Sequence, residues 1–211
     1  QLLRRELTRI ADETVFSKKI FDDDPLVAAY SIQAGDVLAR IAGRFSVPWQ
    51  VLRDINGVEP TRIRVGQKLK APRGPFNAVI QKSAYRMDLY LQDLYVRSYP
   101  VGLGTDQGTP EGVWTVKNRL ENPTFFPPAA AQHKRVIDAD DPANPLGERW
   151  IGLSGIEGDA VGREGYGIHG TIDPRSIGKD ASLGCVRMHN KDVAFVYTLL
   201  AARHSRVTIT P

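Results

Sequence analysis

Ile168-His169-Gly170-Thr171 and, a short loop later, Ser182-Leu183-Gly184-Cys185-Val186-Arg187-Met188 form the stretch from which the rest of the chain is read. His169 and Cys185 stand sixteen positions apart, with glycines and Pro174 between them, enough for a loop to bring them face to face. A thiol with a free pKa of about 8.5 is only a few per cent thiolate at neutral pH, so as a nucleophile it needs a base or positive surroundings. An imidazole titrating near working pH can take its proton. Cys185 is therefore read as nucleophile and His169 as base, and the thiol is expected to be more acidic than a free cysteine. Gly184 lets a substrate carbonyl approach the backbone and leaves the amides of residues 184 and 185 to face a developing oxyanion. Arg187 can hold a carboxylate in a bidentate fork. Each residue alone has a plainer role, as a small buried thiol, a core histidine or a surface arginine. The combination is far more specific than its parts.

Outward from this stretch, residues 76–211 read as strands. Ala78–Gln81, Met87–Leu91 and Tyr95–Val101 alternate between tight turns, and Thr109-Pro110-Glu111-Gly112 punctuates the chain before Val113–Val116. Trp150–Leu153, Tyr166–Ile168 and Arg206–Thr210 supply further strands, and Asp192–Ala202 one helix with Val193, Val196, Tyr197 and Leu200 inward. Lys117 to Glu148 is rich in Pro, Asn and Asp and reads as a long loop. Phe125-Phe126 is too apolar for a free linker, so this loop is expected to wall the active-site cleft.

Residues 30–72 form a smaller strand-helix-helix-strand unit. Tyr30-Ser31-Ile32 is the first strand, and Asp36 is placed to cap a helix carrying Val37, Leu38, Ile41, Ala42 and Phe45. Pro48 opens the second helix, Asn56-Gly57 stops it, and Ile63, Val65 and Leu69 return as a strand. Ala71–Pro75 reads as a stiff linker between two separable units. Ahead of them, Leu2, Leu3, Leu7, Ile10 and Ala11 recur at helical spacing, after which Asp24-Pro25 breaks the helix. Residues 1–29 are read as an arm. The chain begins at Gln1, read as loss of the native start together with any targeting segment.

The His-Gly pair followed by Ser-x-Gly-Cys-x-Arg, with the upstream Thr-Pro-x-Gly turn, resembles the catalytic signature of the L,D-transpeptidase (YkuD-type) family over roughly residues 76–211. Tyr30–Leu38, Ile55-Asn56-Gly57 and Val65–Leu69 resemble a LysM module. The resemblance implies a mainly β catalytic domain, a sandwich or barrel with one helix toward its C-terminal side, beside a small βααβ module. It implies that Cys185 attacks a peptidoglycan stem tetrapeptide, releases D-alanine through a thioester and passes the acyl group to an amine, giving 3→3 cross-links. His169 would be the base with its ring oriented by the Gly170 carbonyl, Gly184 and Cys185 the oxyanion donors, and Arg187, Ser182 and Thr171 the substrate contacts. Gln33, Gly35, Asp36, Asn56 and Ile63 would touch N-acetylglucosamine glycans, although for Gly35, Asp36 and Asn56 taken singly a local turn or cap role is the better account. A bacterial envelope location follows from the same resemblance. Many relatives carry a histidine before the Gly-Cys pair where this chain has Leu183, so a second imidazole is lacking at that position.

Composition limits the alternatives. The chain has 211 residues, net charge +4 and one cysteine, which rules out an internal disulfide. No dense basic run with interleaved aromatics points to nucleic acid, and no apolar stretch is long enough to span a membrane. No cofactor is expected. Water in place of the amine would make an L,D-carboxypeptidase, and a protein amine would make an envelope-anchoring enzyme. A papain-like peptidase would have its Cys before a distant His, and a non-catalytic wall-binding protein would need only the smaller unit. A zinc site from His169, Cys185 and His189 with His133 or His204 lacks the tight ligand spacing that such sites show.

Overall fold

The computed structural model describes residues 2–127 and 135–211. Four α-helices are present among them, α1 (Leu2–Thr14), α2 (Leu38–Arg44), α3 (Trp49–Asn56) and α4 (Asn190–Leu199). The first strands are β1 (Val27–Ser31), β2 (Lys68–Pro72), β3 (Phe76–Gln81), β4 (Arg86–Leu91), β5 (Leu94–Pro100) and β6 (Leu103–Gly104). They are followed by β7 (Gly112–Glu121), β8 (Arg149–Glu157), β9 (Tyr166–His169), β10 (Asp180–Ser182), β11 (Val186–Arg187) and β12 (Arg206–Thr210).

The larger unit is one eight-stranded sheet in the order β11-β9-β8-β7-β12-β3-β4-β5. β3–β4–β5 and β7–β8–β9 are antiparallel meanders, and β12 joins them by pairing parallel to β3 and antiparallel to β7. The period of two expected from sequence is plain in β3, whose residues alternate between buried and half-buried. Helix α4 lays Val193, Val196, Tyr197 and Leu199 against β8 and β9. A separate parallel pairing of β6 with β10 ties the turn after Val101 to the chain leading into Cys185.

In the smaller unit β1 and β2 pair antiparallel and α2 and α3 cover them with Leu38, Ile41, Val51, Leu52 and Ile55. Gly57, in the left-handed region at φ 59°, ends α3 where Asn56-Gly57 predicted a stop. Asp36 does not cap α2. Val37 holds the cap position without a side-chain bond, and Asp36 instead accepts the Gln33 N–H at 2.9 Å and the Tyr30 hydroxyl at 2.6 Å.

Several expectations about the chain's organisation are corrected. Ala71 and Pro72 belong to β2, paired with Ala28 and Val27, so only Arg73–Pro75 connects the units. That connection is docked, since the Gly74 N–H donates to the Phe45 carbonyl and a Cβ on Gly74 would lie 2.5 Å from the Ser46 carbonyl. β7 runs on through Lys117 to Glu121, which shortens the long loop at its start.

The leading segment is a packed strap rather than an arm. Ala11 and Val15 are buried, and the Phe16 ring lies 6.1 Å from Phe76 and 5.5 Å from Phe195. Lys70, 1% exposed, sends its ammonium from β2 to the carbonyls of Thr14 and Lys19. Buried residues from Ala11 through Ile32, Leu69 and Phe76 to Ile209 form a single cluster, so the two units expected to be separable share one core.

Candidate active site

Register brings the site together. β9 pairs with β8 through Trp150 and His169, β11 pairs with β9 through His169 and Arg187, and β7 pairs with β8 through Leu120 and Trp150. Residues directly opposite one another on neighbouring strands point to the same face of a sheet. Leu120, Trp150, His169 and Arg187 therefore form a row across four strands, and all four line one cavity of about 480 Å³. Cys185, two residues before Arg187, lines it too. A volume of this size suits a short peptide segment.

The Cys185 loop is built by close backbone contact. Gly184 sits at φ +134°, and a Cβ there would lie 2.6 Å from the Gly108 carbonyl and 2.7 Å from the Tyr166 ring. Thr109, buried, accepts the Gly104 N–H at 2.9 Å and donates to the Gly184 carbonyl at 3.0 Å, which gives the Thr-Pro-x-Gly turn a structural purpose. Ser182 accepts the Gly184 N–H at 3.0 Å and donates to the Cys185 carbonyl at 2.7 Å. The Gly184 amide is thereby engaged, contrary to its expected part in an oxyanion hole. The Cys185 N–H makes no hydrogen bond with the described residues. Ser182 borders the cavity, but its hydroxyl serves this loop.

His169 is 4% exposed and stacks on Trp150, with ring centroids 5.8 Å apart and planes at 19°. Its Nδ1–H donates to the Gly170 carbonyl at 2.6 Å, an arrangement that leaves Nε2 as an acceptor. Gly170 is held in turn by Asn190, whose Oδ1 would lie 2.1 Å from a Cβ at that position. The same Asn190 oxygen accepts the Thr171 N–H at 2.8 Å, and Thr171 is buried in the turn to Asp173 rather than lining the cavity.

Charge at the site differs from the expectation. Burial pushes the Cys185 thiol up to about 11, against smaller opposing pulls from Gly167 and Arg187. Burial also lowers His169 to about 4, with Gly170 raising it slightly and the Arg187 charge lowering it further. The resting pair is a neutral thiol and a neutral imidazole, not the acidic thiol inferred from the neighbouring histidine. That inference weighed the partner and omitted the low-dielectric walls. The thiol itself donates only weakly, to the Gly165 carbonyl at 3.8 Å. Arg187 forms no ion pair among the described residues, and its Nε is buried without a partner.

Phe125, Phe126, Pro123 and Leu146 complete the cavity wall, as the apolar pair in the long loop led us to expect. Asn144, 3% exposed, braces this wall by donating to the carbonyls of Pro123 and Asp138 and accepting the Leu146 N–H. Leu183 stands at the rim, 65% exposed. Trp150, Leu120 and Asn190 are the site residues that the sequence reading missed. The pattern Trp150-x-Gly152 with Gly167-x-His169 was the available signal, a large ring and a bare position alternating on one face.

In the smaller unit, Gln33 and Gly35 are exposed and Ile63 is half-buried against the core. Asn56 donates to the carbonyls of Leu52 and Lys70 and accepts the Lys70 N–H, so its amide is engaged at both ends. Among the described residues no three His, Cys, Asp or Glu side chains are grouped as metal ligands. His133 lies outside those residues. No described helix is long and apolar enough to cross a membrane.

Comparison with known proteins gives two family matches, the L,D-transpeptidase catalytic domain (YkuD) over residues 75–209 and the LysM domain over residues 30–72. A Bacillus licheniformis protein provisionally named L,D-transpeptidase YkuD is 30% identical over 190 residues, covering 86% of this chain and 98% of the relative. A Bacillus subtilis protein provisionally named L,D-transpeptidase YqjB is 37% identical over 142 residues, covering 66% of this chain and 73% of the relative. Among solved structures, L,D-transpeptidase 3 from Mycobacterium tuberculosis, in complex with a faropenem-derived adduct, shares the fold. It matches with a TM-score of 0.51 at 12% identity, covering 70% of this chain and 66% of that one.

Proposed function

The chain belongs to the YkuD family of L,D-transpeptidase catalytic domains and carries a LysM domain ahead of it, and on that premise we propose that Cys185 is the nucleophile of a peptidoglycan L,D-transpeptidase. The observation that carries this reading is the meeting of Cys185, His169 and Arg187, which has no ion-pair partner among the described residues, in one cavity of largely apolar walls.

The donor is a stem tetrapeptide. With a thiol near 11 and an imidazole near 4 lining one cavity, the proton does not leave in advance. It passes to His169 Nε2 as the sulfur attacks the carbonyl of the third residue, in general-base fashion. The oxyanion that forms is met by the Cys185 N–H. The C–N bond to D-alanine breaks, the imidazolium returns its proton to the leaving amine, and a thioester remains on Cys185. A stem-peptide amine then attacks the thioester, His169 takes the amine's proton and passes it to the sulfur, and a 3→3 cross-link results. Arg187, on the same face two residues from the sulfur, holds a donor carboxylate. The Gln33–Asp36 loop and the chain from Gly57 to Ile63 carry the glycan contact, and the enzyme works outside the cytoplasm, in the bacterial envelope.

Intact-mass analysis of the full chain with a tetrapeptide donor tests this. The expected result is a covalent acyl adduct with D-alanine released, and a dimeric stem product once an amine acceptor is added. Faropenem should give an adduct at the same residue. Cys185→Ala should abolish every one of these signals, since the chain holds no other thiol. Turnover in verified Cys185→Ala protein would sink the mechanism, and free tripeptide as the sole product would reassign the acceptor to water.

A further inference from the structure

Trp150 is absent from the sequence motif, yet the fold makes a specific place for it. Gly152 and Gly167 face each other directly across β8 and β9, two residues along from the Trp150–His169 pair and on the same face of the sheet. A Cβ on Gly167 would lie 2.6 Å from the far edge of the indole, and one on Gly152 would lie 2.8 Å from its Nε1. The ring thus lies over a bare glycine pair, which any side chain would fill. From there it stacks on the imidazole of His169 at 5.8 Å and 19°, as part of the cavity wall.

We propose that Trp150 is a positioning residue for His169: the indole, laid over the Gly152–Gly167 pair, sets the plane of the imidazole and shields one of its faces from water. This rests on the reading of His169 as the base. The Gly170 carbonyl fixes one edge of the imidazole through Nδ1, but a single hydrogen bond leaves the ring free to tilt about it. A flat surface against one face removes that freedom and holds Nε2 to one direction within the cavity that Cys185 also lines. The groups facing His169 are few. Arg187 approaches from β11, the Cys185 thiol lines the same cavity, β8 presents the neutral indole, and Asn190 of α4 packs against Gly170. With no carboxylate pulling the proton affinity up, burial dominates and the imidazole stays neutral to about pH 4.

The test uses full-length Trp150→Leu and Trp150→Phe proteins, with circular dichroism to verify folding. Two quantities are read, the pH profile of D-alanine release and the NMR titration of His169. In Trp150→Leu we expect kcat to fall about ten- to a hundredfold with KM little changed, as for a misaimed base. The His169 titration should rise from about 4 toward 6.5, and the acid limb of the rate profile should move with it. Trp150→Phe, which restores a flat ring, should recover most of both. A Trp150→Leu protein with unchanged His169 titration, or with a loss in KM alone, would make Trp150 a mere wall and overturn the proposal. The NMR titration needs no turnover, so failure of the Cys185 mechanism would be seen separately.

Discussion

The loops of the LysM domain and the catalytic cleft both carry polar residues that motif reading marks as ligand contacts, and the structure treats Asn56 and Asp36 of the first unlike Arg187 and Cys185 of the second. In the module, Asn56 is tied at both ends of its amide to Leu52 and Lys70, and Asp36 is tied to Gln33, Tyr30 and Arg44. In the cleft, the Arg187 Nε, buried, and the Cys185 N–H have no partner among the described residues. Buried polar groups are costly when unsatisfied. A fold that satisfies such a group uses it for its own stability, and one that leaves it open in a cavity has reserved it for something that arrives. Residue type and spacing look alike in both regions. Partner accounting separates them.

Four experiments bear on that contrast, the largest effect first. His169→Ala should slow acylation of the donor by about 10²–10⁴ with the fold intact, measured by single-turnover mass spectrometry. A loss within threefold would mean that the imidazole belongs with the structural residues of the module.

The acid dependence of stability sharpens the same point. His169 takes up a proton at about 4 in the folded protein and at about 6.5 in the unfolded chain, so the unfolded state binds more protons between those values. Stability is full above the unfolded value and falls as pH drops toward the folded one. The difference is about 3 kcal/mol, each tenfold in proton affinity being worth about 1.4 kcal/mol. Urea unfolding compared between neutral pH and about pH 4.5 measures it, and His169→Gln should flatten the profile.

Arg187→Ala should raise KM for the tetrapeptide about ten- to a hundredfold, the worth of a charge-assisted hydrogen bond to a carboxylate. It should barely move the unfolding midpoint, because the guanidinium has no ion-pair partner among the described residues. Asn56→Ala should do the reverse, costing about 2 kcal/mol of stability through the lost bonds to Lys70 and Leu52. Binding of folded protein to insoluble peptidoglycan should change little. Should Asn56→Ala abolish that binding while stability holds, the contrast between the two regions fails.

Much of the architecture was legible in local sequence. Period-two alternation marked β3, β4 and β12, and Asn56-Gly57 marked the end of α3, because those signals are carried by adjacent residues. The Cys185 loop was legible as a motif, but its hydrogen bonds were not. Ser182 and Gly184 lie two apart, and only the turn geometry at φ +134° shows that one amide is engaged by the other's hydroxyl. β11 is two residues long and pairs parallel with β9, so no periodicity could announce it. The row from Leu120 to Arg187 is a property of register among four strands distant in sequence. Thiol acidity was misjudged for a related reason, since burial depends on walls such as Phe125 and Leu146 that come from far along the chain.

The strap α1, the buried Lys70 ammonium and the docked Gly74 turn have a consequence for how the enzyme meets its polymer. A catalytic domain on a flexible tether sweeps a volume around its anchor and reacts with whatever falls inside. Here the LysM module and the catalytic domain share one core, as a gauge is fixed to a cutting tool. A glycan strand gripped by the LysM domain would present its stems at one offset and one heading, and spacing along the strand rather than local abundance would choose which stem is joined.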